Sequence, residues 1–366
     1  MGESFASVGD TEERSTNFRE VGRDCYAYTA VGDPSSGVVV GEKEVVVIDT
    51  QPTPARAEIL LARIREIADV PVRRVVLTHF HATRTLGATV FGASEILCSD
   101  LTRHLISERG KQDLESEAGR FPRLFRDAKT IPGLTWPTTT FSSSLTMWLG
   151  NREVRLMNLG RGHTMGDIVC FVPDAGVLYA GDLVENASAP YCGDGHIADW
   201  LRTLERLRAF KAEALVPGRG EPIRGTEAVH EAIDLTRDYL ETLQETVKGA
   251  VERKFSLEDT YRAAEQVMGP DFSGLALFGH RLPFNVARAY DEAKKIGHPR
   301  IWTAERDREI WHLFQTVAAM DDVVPEEDYE VTGEEAGNTQ GRDDKSEKAL
   351  KALEEEFEED AREAVD

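Results

Sequence analysis

Short runs of β-branched residues, cut by turn residues and followed by helical stretches, occur twice along this chain, and this repetition limits the folds open to it most. In the first half the runs are Tyr26 to Ala30, Gly37 to Val40 and Glu44 to Asp49, parted by Gly32-Asp33-Pro34 and Gly41-Glu42-Lys43. Pro54 then opens a segment with Ile59, Leu60, Ile64 and Ile67 at helical spacing, and a strand from Val72 to Leu77 follows. The short strand Glu95 to Cys98 comes next. A charged helical segment then runs from Leu101 toward Phe125, and its many charges predict a solvent-facing helix. The second half repeats the theme with Glu153 to Leu159, Asp167 to Val172 and Gly176 to Ala180. A helix with Trp200, Leu201, Leu204 and Leu207 on one stripe precedes the strand Ala214 to Val216. Two sets of strands, each with its own helices, suit two sheets packed face to face with helices outside, an α/β four-layer αββα sandwich.

Beyond about Gly225 the pattern is helical, through Leu240, Leu243, Val247, Val251, Tyr261, Ala264 and Val267. The expected organisation is a flexible N-terminus over 1–17, a sandwich domain over 18–225, a helical extension over 226–320 and an acidic, disordered tail over 321–366. Charge supports the last boundary, because residues 321–366 hold 19 acidic and 5 basic side chains and so carry most of the net charge of −22. Such a balance argues against nucleic acid and anionic membranes as partners. No apolar run is long enough to span a bilayer and the N-terminus has no basic head before an apolar stretch, so a cytoplasmic protein is expected. Cys25, Cys98, Cys170 and Cys192 are too scattered for a cysteine metal site or a disulfide framework.

Three clusters at strand ends carry chemistry. Thr78-His79-Phe80-His81 closes an apolar strand and offers two imidazoles at i, i+2, which a tight loop can aim at one ion. Gly160-Arg161-Gly162-His163-Thr164-Met165-Gly166-Asp167 places a histidine among glycines that allow tight turns. Leu178-Tyr179-Ala180-Gly181-Asp182 delivers a carboxylate at the end of another apolar strand. Each alone is weak; their order and their strand-end positions make them specific together.

The order THxH, GHTxGD, xGD and then PGxG resembles the metallo-β-lactamase superfamily over about Phe18 to Gly225. The resemblance implies that His79, His81 and His163 bind a first metal ion and that Asp182 is the bridging ligand. It also implies a departure. Where the family carries HxHxDH this chain has Thr83 and Arg84, and where the family has PGHG it has Pro217-Gly218-Arg219-Gly220. Decay after loss of function is the plain alternative, but decay would not be expected to spare four first-site positions, alter all three second-site positions and choose arginine twice. Losing one carboxylate and gaining two guanidiniums replaces a dication with fixed positive charge, and an arginine fork suits carboxylate, sulfate or phosphate.

The sequence therefore predicts one divalent ion, zinc first and iron as the alternative, with Asp182, Arg84 and Arg219 as catalytic residues. Both arginines are expected to hold a small anionic substrate, an ester, thioester or lactone, for attack by metal-bound water. Two other readings stay open. One is a mononuclear iron oxygenase, because persulfide dioxygenases resemble the same fold and hold one iron at the positions matching His79, His163 and Asp182. The other is a non-catalytic anion-binding or scaffold protein. His104, His196, His230, His280, His298 and His312 lie outside ligand spacing and read as structural or exposed, with His196 the least secure because its loop follows Asp182. In the helical extension, Arg281-Leu282-Pro283-Phe284-Asn285 and Ile301 to Asp307 suit a packed helical layer, a cap over the pocket or a homodimer contact.

Overall fold

The computed structural model describes residues 11–321, with side chains described through residue 314. Residues 322–366 of the expected tail and the first ten residues of the expected N-terminal segment lie outside the described residues, whereas Asp321 ends a helix. Thr11 to Thr16 are described, and there Glu13 pairs with Arg56 at 2.9 Å and with Arg126 at 3.1 Å.

The first sheet has seven strands in the order β1 (Asn17–Gly22), β2 (Cys25–Thr29), β3 (Ser36–Val40), β4 (Val45–Ile48), β5 (Val72–Val76), β6 (Glu95–Ser99) and β7 (Thr139–Phe141). β1 to β4 form an antiparallel meander, whereas β4 to β7 run parallel. Parallel neighbours need a crossover. Helix α1 (Pro54–Ile67) supplies the one before β5; its Thr53 side chain caps the N-terminus, and Pro54 occupies the first turn, where no N–H is needed. The short α2 (Ala82–Thr85) and α3 (Asp100–Arg120) complete this half.

The second sheet has six strands in the spatial order β13 (Ile223–Arg224), β12 (Ala214–Pro217), β11 (Val177–Gly181), β10 (Val169–Val172), β9 (Arg152–Met157) and β8 (Ser144–Leu149). Helix α4 (Ile197–Arg208) makes the crossover between the parallel strands β11 and β12. Strands β1, β7, β8 and β13 were not legible in the sequence, being edge strands or short, with too little alternation to register.

Period-two patterning sorts each strand between layers. In β4, Val46 and Ile48 face the inter-sheet core, whereas Val45 and Val47 face α1 through Ala57, Leu60 and Ile64. In β11, Val177 and Tyr179 face the first sheet, and Leu178 and Ala180 face the outer helices. Each such side chain fully removed from water contributes roughly 1.5–3 kcal/mol. The αββα sandwich is thus observed.

Helices α5 (Thr226–Glu252), α6 (Leu257–Phe272), α7 (Phe278–Ala293) and α8 (Ala304–Asp321) form the helical extension. They share one core with the second sheet, in which Val169, Leu178 and Leu215 pack with Trp200, Leu240, Leu243, Met268 and Leu282. The expected solvent-facing role of α3 is corrected. Its buried positions include Arg109, Asp113, Glu117 and Arg120, because those charges pair within the protein, Arg109 with Asp194 at 2.9 Å and Arg120 with Glu117. Charge on a helix predicts water only when no partner waits on the other side.

Candidate metal centre

The chemistry-bearing segments meet at one edge of the sandwich. His79 and His81 follow β5, Asp182 follows β11, Arg219 follows β12, and His163 lies in the loop that enters β10, which is antiparallel to β11. Backbone bonds tie the two sheets together here: the Ile168 amide donates to the Thr78 carbonyl at 2.9 Å, and the Ser35 amide to the Gly218 carbonyl at 2.9 Å. Two glycines are required by contact. A Cβ on Gly218 would stand 2.4 Å from Asp182 Oδ1, and Gly181, at φ +55°, would press one against Thr78 at 2.8 Å.

His79, His81 and His163 are buried, and one ring nitrogen from each lies within 4.8 Å of the others. The second nitrogen of every ring is held from behind. Asp49 accepts hydrogen bonds from the Thr78 amide at 2.8 Å and hydroxyl at 2.7 Å, so the Thr78 oxygen is left to accept from His79 Nδ1 at 2.9 Å. His79 Nε2 then carries a lone pair and has no partner. His163 Nδ1 donates to the Tyr191 carbonyl at 2.8 Å, which turns its Nε2 inward as an acceptor. His81 Nε2 meets Asp194 at 3.1 Å, leaving Nδ1 to face His163 Nε2 at 3.0 Å. Asp182 Oδ2 lies 3.9 Å from His79 Nε2 and 3.7 Å from His163 Nε2. Three imidazoles and a carboxylate, each ring oriented by an outer partner, are a fitting donor set for one zinc-like or iron-like ion.

Electrostatics separates the three rings. Burial, together with the other imidazoles and against the pull of Asp182, lowers His163 to about 3 and holds His79 well below its ordinary value. Burial also acts against the charge on His81, but Asp113 and Asp194 override it and raise this histidine to about 9. Burial would raise Asp182; Arg84, then His79 and His163, instead hold it well below the usual carboxylate range.

Arg84 does not do what the sequence reading expected of it. It is fully buried, and its guanidinium donates to Asp182, to the Gly218 carbonyl at 2.7 Å and to the Ser35 carbonyl at 2.9 Å. Those bonds occupy both terminal nitrogens, so its fork is committed to the protein and not presented to a substrate. Arg219 donates to the Gly32 carbonyl at 2.9 Å, lies over the Phe121 ring at 5.4 Å, and keeps its Nε without a partner. Burial, and then Arg281 and Arg84, lower it to about 10. It lines a cavity of about 10 Å³ together with His81, Thr83, Asp182, Tyr191 and Arg281, which is room for one water-sized occupant.

Several site residues escaped sequence reasoning. Asp194, Asp113 and Arg109 support His81, and Asp49 supports Thr78. The loop after Asp182 was singled out for His196, but its contribution is Asp194, two residues earlier. His196 is buried yet lies outside the three-histidine cluster, lining a separate cleft with His104, Arg109 and His298. The signal for Asp194 was the Gly-Asp-Gly turn, which delivers a carboxylate as the Ala-Gly-Asp turn does. Arg281 comes from α7, where a run read as a packed layer or cap also supplies a charge to the cavity wall. All four cysteines are free and buried.

A profile of the metallo-beta-lactamase superfamily matches residues 29–219. The linear primary-alkylsulfatase of Pseudomonas sp. (strain ATCC 19151) is 25% identical over 233 residues, covering 54% of this chain and 43% of that protein. The metallo-beta-lactamase type 2 of Bacteroides fragilis is 24% identical over 215 residues, covering 57% of this chain and 78% of that protein. The chain therefore spans less than half the length of the alkylsulfatase. Among solved structures, a metallo-beta-lactamase from Pontibacter korlensis superposes with a TM-score of 0.50 at 21% identity, over 62% of this chain and 99% of that one, a likeness of fold.

Proposed function

The chain belongs to the metallo-β-lactamase superfamily, and from that premise we propose a hydrolase that uses one divalent ion, zinc in the first instance, on a small anionic ester, thioester or lactone. The observation that carries this reading is the division of labour around Asp182. One inward nitrogen from each imidazole lies on one side of it, that of His79 without a partner and those of His81 and His163 facing each other, while Arg84 occupies the other side with a fixed cation.

His79, His81, His163 and Asp182 would hold the ion. When bound, it supplies Lewis-acid polarisation of the scissile group and a water of lowered pKa, near 7 for zinc. The remaining work belongs to the chain. Thr78, Asp194 and the Tyr191 carbonyl fix the three rings, so little reorganisation is needed. Arg84 neutralises Asp182 where two-metal members of the family use their second ion, and its hydrogen bonds to two carbonyls keep it there. Arg219, which lines the cavity, supplies the positive charge for the substrate's anionic group. Phe121 and the α7 wall keep bulk water from these charges, which strengthens them.

No helix among the described residues is long and apolar enough to cross a membrane. The free cysteines support the cytoplasm as the setting. Elemental analysis of protein purified without added metal tests the proposal. One equivalent of zinc, with hydrolysis of generic anionic esters, is expected. Oxygen uptake only after anaerobic iron loading would transfer the site to the oxygenase reading, and no metal with no turnover would leave an anion-binding protein.

A further inference from the structure

Two open sheets have four edge strands, and three of those here carry features that keep an edge from pairing with another chain. β1 holds Arg19 and Glu20 and has a bulge between Glu20 and Gly22. β7 has three residues and β13 two, too few to template a partner. β8 is the exception. It runs six residues, Ser144–Leu149, in unbroken register with β9, and it contains no charge, proline or bulge. Among the described residues no strand lies beyond it, so its outward N–H and C=O groups have no backbone partner.

The neighbouring sequence extends this exception. In a chain that is 30% charged, no charged residue stands between Lys129 and Arg152, a stretch that includes both β7 and β8. Trp200, Trp302 and Trp311 are buried, whereas Trp136 and Trp148, both in this stretch, are 48% and 60% exposed. Half-exposed tryptophans on a charge-free edge have the composition of an interface, not of a solvated surface.

We infer that β8 is an interface strand, pairing antiparallel with β8 of a second copy of this chain around a two-fold axis. Charge argues for the place: two chains of net charge −22 repel over most of their surfaces, and this stretch lets them meet without opposing like charges. The side chains are self-complementary. Leu145, Met147 and Leu149 turn toward the inter-sheet core, and Ser144, Thr146 and Trp148 turn outward. A two-fold axis at Thr146 keeps each face on its own side. It sets Trp148 opposite Ser144 of the second copy, a ring against a small hydroxyl, and Leu145 opposite Met147, which carries the apolar core across the join. The contact thus lies on the sandwich edge and not on the helical extension, where Arg281 and Trp302 are buried within the chain.

Sedimentation velocity and light scattering on the full-length protein across the micromolar range test this. A concentration-dependent dimer is expected, weakened at least about tenfold by Trp148→Lys or by Thr146→Lys, with metal content and circular dichroism unchanged. Both positions are exposed, so neither change disturbs the core. Cross-linking gives a second measurement that needs no lysine variant. All four native cysteines are buried, so Thr146→Cys introduces an accessible thiol, and a short bismaleimide should join two chains through it. Ile59→Cys, on an exposed position of α1, should not cross-link. A monomer at every concentration, a dimer that both lysines leave intact, or equal cross-linking through positions 146 and 59 would overturn the inference.

Discussion

Asp182 answers to two partners, and Arg84 is the one whose removal can be measured on the protein alone. Burying a carboxylate without compensation is expensive, and here the guanidinium meets it while also satisfying the Ser35 and Gly218 carbonyls. Arg84→Met should cost about 3–5 kcal/mol in urea unfolding with chelator present, and adding Asp182→Asn should recover part of that loss. Strictly additive losses would show that the pair is not coupled. His280 gives a second test at this scale. It is buried with neither ring nitrogen bonded, and burial, then Arg120, Arg281 and Arg219, hold it well below its ordinary value of 6.5. Below about pH 6.5 the unfolded chain takes a proton there that the folded chain refuses, so stability present above that pH is lost as pH falls, by about 1.4 kcal/mol per unit. The stability difference between pH 7 and pH 5 should therefore shrink in His280→Phe relative to wild type. An equal acid loss in both proteins would remove His280 from the account.

At the scale of elements, Asn285 helps tie α7 to the site loop, beside Arg281, which bonds the Ala189 carbonyl and Glu185, and Arg288, which donates to the Gly195 carbonyl. Asn285 Oδ1 accepts from the Cys192 amide at 2.7 Å, and its Nδ2 donates to the Pro190 carbonyl at 2.9 Å and the Tyr239 hydroxyl at 2.8 Å. These bonds flank Tyr191, whose carbonyl orients His163. Asn285→Leu strands three buried polar groups and should destabilise the protein by about 3 kcal/mol or more, read from denaturant midpoints. Weaker metal retention against a chelator should accompany it, because the His163 ring loses a fixed acceptor; unchanged retention would uncouple α7 from the metal centre. Helix α3 makes the complementary point. Its charges suggested water, yet Arg109 supports Asp194 behind His81 and Ser116 bonds Asp307 on α8. An amphipathic period reports which face is apolar; it cannot report that a polar face meets another polar face.

Across the whole molecule, the superfamily match ends at residue 219, but the core does not. The outer face of the second sheet is covered by α4 to α7 in one continuous apolar cluster, and α7 also supplies Arg281 to the cavity wall. Residues 1–225 alone would expose Leu178, Leu215, Leu204 and their neighbours to water. That fragment should show no cooperative thermal transition and weak near-UV dichroism, whereas the full chain unfolds cooperatively. A sharp transition in the fragment would make the helices a separate unit after all.

What the sequence determined by itself was local: the strand periods, the crossover helices and the polar residues released at strand ends, because backbone periodicity and turn chemistry are written in neighbouring residues. His79, His81, His163 and Asp182 were legible for that reason. The arginines at positions 84 and 219 were visible there too, but not their different surroundings. Only the tertiary structure could decide that Arg84 spends its terminal nitrogens on Asp182 and two carbonyls while Arg219 lines the cavity. The same holds for Asp194, Arg109 and Arg281, which reach the site from distant segments. Pairing of buried charges depends on which segments meet in space, and no spacing along the chain encodes that meeting.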